Sequence, residues 1–181
     1  ILEHRMQTGE PYIVFIDAAN RALPSWLSDK GLKIQGSNLC TEIFLPTSEK
    51  RTAVCCLSSL NLEYFDHWNT NEQFIPDVME FLDNVLQYFI DNAPNSVERA
   101  RYSALRERSI GIGALGFHAY LQSKRIPIES VLAKSINYRM FSHIKEECAR
   151  GDEILCEKRG PCPDAKDAGI PRRFSHWNAV A

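Results

Sequence analysis

Long apolar runs are missing from this 181-residue chain. A stretch such as YIVFI, residues 12–16, falls far short of the roughly 20 apolar residues that cross a bilayer, so no membrane span is expected. An excess of charge of either sign is missing too. The net charge of −2 leaves no basic field to recruit nucleic acid and no acidic tail. The amino terminus, ILEHRMQTGEPY, lacks the basic-then-apolar pattern of a secretory signal and does not begin with Met. A cytoplasmic piece of a longer polypeptide is therefore expected. Six cysteines occur, at positions 40, 55, 56, 148, 156 and 162, but no two stand at C-x2-C spacing. Structural zinc sites use such close pairs, and disulfide frameworks use denser spacing in smaller secreted chains. The expectation is free thiols, one or two of them chemically active, and no metal site. Internal repeats and low-complexity stretches are also absent.

What is present reads as one soluble globular domain, with 44% hydrophobic and 24% charged residues. Residues 11–17, PYIVFID, mix β-branched and aromatic types and predict a buried strand. The Ser-, Asn-, Pro- and Gly-rich stretch 18–38 predicts a long loop, and loops of that length tend to be functional. A second strand is predicted at about 53–57, after the polar turn SEKR. The remainder reads as helical. Apolar residues Ile75, Val78, Leu82, Val85, Leu86 and Phe89 recur at helical spacing, with Pro76 suited to the first turn and Pro94 just beyond the end. A charged helix is predicted over 96–108, capped by Ser96, and another over 114–123. Pro127 opens a long helical pattern with an expected interruption at Gly151 and a stop at Gly160. The final 20 residues, ending HWNAVA, show no amphipathic period.

The stretch GSNLCTEI, 36–43, sets an amide, a thiol and a carboxylate at alternate positions, Asn38, Cys40 and Glu42. In an extended chain alternate side chains share a side, so the three would converge. Cys55 and Cys56 follow in the next apolar stretch, and sequential elements usually neighbour one another. A carboxylate beside a thiol and an amide suits proton removal, hydrogen bonding and sulfur redox chemistry. The plain alternative stands beside this: a free cysteine in a strand is commonly a small buried hydrophobe.

The order of motifs adds to the residue reading. TGEPYIVFID, SNLCTEIFLPT, AVCCLSSLNL and RSIGIGALGFHAYL, in that sequence, resemble the catalytic α subunit of class I ribonucleotide reductases. N-L-C-x-E-I followed by C-x-L-S-x-x-N-L is the specific part. The resemblance covers nearly the whole chain but only a middle portion of the usual subunit. It implies an α/β fold: part of a ten-stranded α/β barrel, with a finger loop at about 18–52 and a helix-rich second half at about 74–160. It implies reduction of ribonucleoside diphosphates to deoxyribonucleoside diphosphates for DNA synthesis. Cys40 would be the thiyl radical that takes the ribose 3′-hydrogen, and Glu42 would accept the 3′-hydroxyl proton. Asn38 would hydrogen-bond the ribose hydroxyls, and Ser37, Leu39 and Glu42 would line the substrate. Cys55 would be one of two thiols that supply electrons and become a disulfide, whereas Cys56 is read as packing. The second thiol of that pair would lie outside this chain.

By the same resemblance the chain binds no cofactor itself. A small subunit with a di-iron/tyrosyl or similar centre would deliver the radical, and a thioredoxin- or glutaredoxin-type protein would supply electrons. ATP and dATP effectors would bind missing segments of the subunit. Two alternatives stay open: a fragment serving as an assembly module, and a radical reductase of another class on the same barrel. Other features invite different readings. Gly111 to Gly116 matches G-x-G-x-x-G, but a charged helix end precedes it and no acidic residue follows about 20 positions on, so close helix packing is preferred to dinucleotide binding. Cys148, Cys156, Cys162 and His143 have the wrong spacing for a metal site. Trp26, Trp68 and Trp177 read as core or interface aromatics, and His67 and His176 have no identifiable partner.

Overall fold

The computed structural model describes residues 1–178. Its elements run α1 (Leu2–Thr8), α2 (Ile16–Ala22), α3 (Ser25–Ser28), β1 (Cys56–Asn61), α4 (Phe65–Trp68) and α5 (Phe74–Asn92). They continue with α6 (Glu98–Glu107), β2 (Ile110–Leu115), α7 (Phe117–Ser123), α8 (Val131–Arg159) and α9 (Pro163–Asp167). β1 and β2 pair in parallel, from Cys56 opposite Ile110 to Asn61 opposite Leu115. Parallel neighbours need a crossover, and α4 to α6 supply it. The far edge of β2 carries a second parallel partner. Ile110 N donates to His176 O at 3.0 Å, Ile112 N donates to Trp177 O at 2.8 Å, and Ile112 bridges Asn178. A strand, helices, strand, helices, strand order results, with α7 to α9 as the second crossover.

Helical spacing builds the core. α5 buries Ile75, Met79, Leu82, Leu86 and Ile90, and α8 buries Ile136, Met140, Ile144, Cys148 and Leu155. Most of these meet Leu60 of β1, Ile110 and Ile112 of β2 and the fully buried Phe174 in one cluster. Ser130 caps α8, its Oγ accepting from Ala133 N at 3.1 Å, and Gly160 ends it at φ 80°. The expected break at Gly151 does not occur, because that glycine is where α8 closes on α5. A Cβ there would come within 2.6 Å of the Met79 sulfur. Buried charge also joins the elements. Asp83 of α5 is fully buried and receives Arg108 at 2.6 Å, Arg159 at 2.6 Å and Arg173 at 2.9 Å. A buried carboxylate needs such partners to offset lost hydration.

Several sequence expectations change. Residues 11–17 do not form a strand. Residues 11–15 lie in no helix or strand, have no strand partner among the described residues, and lead into α2 at Ile16. A strand needs a neighbour to complete its ladder, and Tyr12 and Phe15 remain exposed. The stretch 18–38 is no plain loop, since it holds α2, α3 and a small cluster of Leu23, Leu27 and Ile34. There Asn20 takes the place of a strand neighbour: its Nδ2 donates to Ile34 O at 2.8 Å, and its Oδ1 accepts from Ile34 N at 2.9 Å. The strand expected at 53–57 lies three residues later. The glycine-rich stretch is strand β2 and not a helix start, because Ile110 and Ile112 alternate into the core with glycines between. The following helix begins at Phe117, and α6 follows a 3-10 turn over Asn95–Val97 without a Ser96 side-chain cap. His176 does have a partner, its Nδ1 lying 3.1 Å from Ser175 Oγ. Among the described residues two strands pair, a part of the ten that the family resemblance implies for the whole barrel. The last three residues of HWNAVA lie outside the described residues.

Candidate active-site loop

The stretch 36–44 closes on itself through short-range bonds. Ser37 Oγ donates to Ile43 O at 3.0 Å, and Ile43 N donates to Asn38 Oδ1 at 3.0 Å. Thr41 N donates to Asn38 O at 3.1 Å, and Thr41 takes φ 63° in the left-handed region. The backbone therefore reverses at 38–41 and is not extended. The expected period-two convergence of Asn38, Cys40 and Glu42 is replaced by a turn that puts Cys40 near the tip and Asn38 at the neck. Below the neck the legs are joined by Thr47 N donating to Lys33 O at 3.1 Å and by Gln35 Nε2 donating to Thr47 O at 3.1 Å.

Two clefts share the Ser37–Asn38 side of this turn. An open one of about 720 Å³ is lined by Ser37, Asn38, Leu39, Cys40 and Thr41 on one side and by Glu10, Tyr12 and Val14 on the other. A second, of about 470 Å³, is lined by Ser37, Asn38, Ile43 and Cys55 among others. Ser37 and Asn38 thus form the wall between the exposed Cys40 thiol and the half-buried Cys55 thiol. Glu42 lines neither cleft. Its Oε2 is buried without a hydrogen-bond partner, and its charge reaches Cys55. Burial pushes the Cys55 thiol up, and Cys56, Glu42 and Glu107 push it further, to about 12. At neutral pH Cys55 therefore holds its proton, and it loses that proton only with a base or an oxidation step that takes it. Cys56 packs against both core clusters of the helical half.

The sequence patterns left out Glu10, Tyr12 and Val14, because an apolar stretch that ends in a helix read as a buried strand. They also left out Arg51, Glu107 and Asp164. Arg51 Nη1 donates to Glu107 Oε1 at 2.8 Å and to Asp164 Oδ2 at 2.7 Å, and all three are buried. Burial raises Glu107 to about 7 even with Arg51 beside it. Asp164 is pushed up by burial too, but the hydrogen bonds and charges of Arg51 and Arg106 outweigh this and hold it below its ordinary value.

A more enclosed cavity of about 410 Å³ lies between Ala22 and Pro24 and the Ile144–Cys148 face of α8. His176 lines it, and burial with Arg172 nearby lowers that ring to about 4, so it stays neutral at pH 7. Arg172 stacks over Trp177 at 4.0 Å. The Cys148 thiol there is raised to about 12 by burial, which leaves it inert at neutral pH. All six cysteines are free thiols, and among the described residues no helix is long and apolar enough to cross a membrane.

Residues 1–180 match the family described as ribonucleotide reductase, barrel domain. The chain is 57% identical over 181 residues to the ribonucleoside-diphosphate reductase large subunit of Invertebrate iridescent virus 3, covering all of this chain and 28% of that protein. It is 35% identical to the ribonucleoside-diphosphate reductase large chain of Encephalitozoon cuniculi (strain GB-M1), over 98% of this chain and 23% of that one. Among solved structures, the Actinobacillus ureae class Id ribonucleotide reductase alpha subunit superposes with a TM-score of 0.92 at 37% identity. That match covers 99% of this chain and 34% of the other. The chain thus spans about a quarter to a third of the relatives it matches, and its fold is a fragment of their α/β barrel.

Proposed function

This chain belongs to the ribonucleotide reductase barrel-domain family, and from that premise we propose that it serves as the central part of a class I reductase large subunit. The whole subunit converts ribonucleoside diphosphates to deoxyribonucleoside diphosphates. On this reading residues 18–52 form the finger of a ten-stranded barrel whose other strands come from the rest of the polypeptide, and 74–160 is the helical part. The observation that carries it is the shared wall: Ser37 and Asn38 separate the Cys40 cleft from the Cys55 cleft, and the Glu42 charge acts on Cys55.

Each residue then has a chemical task. Cys40, as a thiyl radical, takes the 3′-hydrogen of the ribose, forming an S–H bond as the C–H bond breaks. Its place near the tip of the turn lets it reach a substrate held in the cleft. Such positioning can lower a barrier by roughly 7–11 kcal/mol. Glu42 accepts the 3′-hydroxyl proton by turning out from its buried position, where Oε2 has no hydrogen-bond partner to hold it. Asn38 hydrogen-bonds the ribose hydroxyls, with Ser37 and Leu39 beside it. Cys55 and a second thiol outside this chain give up two electrons and become a disulfide, which a thioredoxin- or glutaredoxin-type protein reduces again. The radical arrives from a small subunit with a di-iron/tyrosyl or similar centre, and ATP and dATP act on other segments of the large subunit.

The test is Cys40→Ser in a reductase assembled with the remaining large-subunit polypeptide and its small subunit. Deoxyribonucleotide formation is expected to fall below detection while assembly is unchanged. Full activity in the variant would make the chain a scaffold and end the radical reading.

A further inference from the structure

Both legs of the loop that carries Asn38, Cys40 and Glu42 end on one buried residue, Asp164. Lys30, just before the incoming leg, donates from Nζ to the backbone O of Asp164 at 2.6 Å and lies 3.6 Å from its Oδ1. Arg51, at the end of the outgoing leg, donates to Asp164 Oδ2 at 2.7 Å and to Oδ1 at 3.2 Å. Arg106, in the last turn of α6, donates to Asp164 Oδ1 from Nε at 2.9 Å. It also reaches Asp167, which Lys30 approaches at 3.6 Å. Glu107 takes the remaining bond of Arg51 at 2.8 Å. Three cations thus face three carboxylates, and Asp164, in the first turn of α9, is fully buried at their centre.

We propose that Asp164 is a positioning residue for the Cys40 loop, a buried clasp that fastens both legs of residues 31–50 to α9 and α6. Elsewhere the loop is held by two bonds from Asn20 to Ile34, by the small cluster on which Leu32, Ile34 and Phe44 pack, by buried Leu45 and Pro46, and by bonds local to its neck. The helical half supplies the anchor, because α6 and α9 pack on one another through this same cluster. The charges are well hidden. Asp164 is fully buried, Arg51 and Glu107 are nearly so, and the Arg51 guanidinium also lies over the Tyr102 ring at 5.4 Å. Removing one partner of such a buried set leaves the others uncompensated. The Sγ of Cys40 is therefore held in place from residues far from it in sequence, with no contact to any substrate. The importance of the clasp for chemistry rests on reading Cys40 as the reacting sulfur; the clasp itself does not.

The test is hydrogen exchange of the full chain, read segment by segment at pH 7. Asp164→Asn keeps the shape of the side chain and removes its charge. It is expected to speed exchange in 31–50 at least about tenfold, leaving 75–92 and 131–159 unchanged. Lys30→Met frees only the incoming leg, with a rise of about threefold confined to 31–36, and Lys30→Arg, which keeps the cation, restores protection. If 31–50 exchanges as before in Asp164→Asn, or if exchange rises equally in the helices, the clasp is overturned. Should Asp164→Asn fail to fold, Lys30→Met decides alone, since its side chain is partly exposed and its loss is mild: a rise confined to the loop supports the clasp and no rise overturns it. Exchange is read without turnover, so failure here leaves the reductase reading standing, and failure of Cys40→Ser leaves the clasp standing.

Discussion

Residues 1–55 and residues 56–178 are held together by different forces. Before Cys56 the buried apolar residues are Leu23, Leu27, Ile34, Leu45 and Pro46, and the last two stand outside the small cluster of the other three. After it, one cluster runs continuously from Leu60 to Phe174 through both strands and the two long helices. The first region relies instead on single bonds: Asn20 to Ile34, Ser37 to Ile43, and the ion pairs of Lys30 and Arg51. Catalytic groups often sit on loops that a rigid scaffold positions, and the least stable parts of a fold are those with few buried contacts. Here the same division places candidate chemistry in the lightly packed region and stability in the other. On the proposed reading, in which this loop enters a barrel, it has to carry polar and reactive groups and takes its order from the packed half.

The same deletion made in each region is the sharpest way to break this comparison, and the helical half should show the largest effect. Leu82 is 2% exposed in α5 and sits in the main cluster. Leu82→Ala removes buried carbons and leaves a cavity where α5 and α8 meet, with an expected loss of about 3–4 kcal/mol. Thermal or urea unfolding of the chain measures it, and a loss below about 1 kcal/mol would mean that the two long helices are not the main source of stability.

A smaller effect, and one that joins the regions, is expected from Glu107. Its carboxyl is raised by burial from an ordinary 4.5 to about 7. The folded chain therefore binds this proton more tightly than the unfolded chain does. The contribution is fully present below about pH 4.5 and is lost as pH rises towards 7. The slope is at most about 1.4 kcal/mol per pH unit, since one proton is involved. Glu107→Gln removes that slope, so the parent's stability relative to the variant's falls between pH 5 and 7. A parent curve that rises between pH 5 and 7 because of Glu107 would reverse the sign and show that its pairing with Arg51 outweighs its burial. Asp164 behaves in the opposite way, because its pKa is lowered: its contribution is kept through this range and lost only as pH falls below the ordinary carboxylate value.

The two regions were also unequally legible in the sequence. The extents of α5 and α8 follow from apolar spacing, with Pro94 and Gly160 marking their ends, because a long periodic signal averages over local accidents. The Ile110–Leu115 strand was hidden by its glycines, which read as helix packing although Ile110 and Ile112 alternate correctly for a strand. The run at 12–15 was misread because strand composition says nothing about whether a partner strand is present. In the loop, pattern names candidate residues but not their arrangement. Asn38, Cys40, Glu42 and Cys55 were picked out by pattern. The turn at 38–41 depends on a left-handed threonine that no motif marks. The clasp was invisible for a simpler reason: Arg51 and Asp164 are 113 residues apart, and no local periodicity connects them. A polar turn written SEKR gives no sign that its last residue is buried.

The smallest expected effect completes the comparison. Leu39 has the same side chain as Leu82 but is 88% exposed, in the turn beside Cys40. Leu39→Ala removes the same carbons from a site that buries almost none of them, so unfolding stability should change by less than about 0.5 kcal/mol. An exposed leucine at the mouth of a cleft contributes nothing to holding this chain together, and its apolar surface remains available for contact with something else. In the reading given above that contact is the substrate. The assembled enzyme should then show a raised KM for the ribonucleoside diphosphate in Leu39→Ala, with the unfolding curve superimposed on the parent's. A large loss of stability from this one residue would mean that Leu39 packs against the fold in solution, and the division between a packed half and a tethered one would fail at its plainest point.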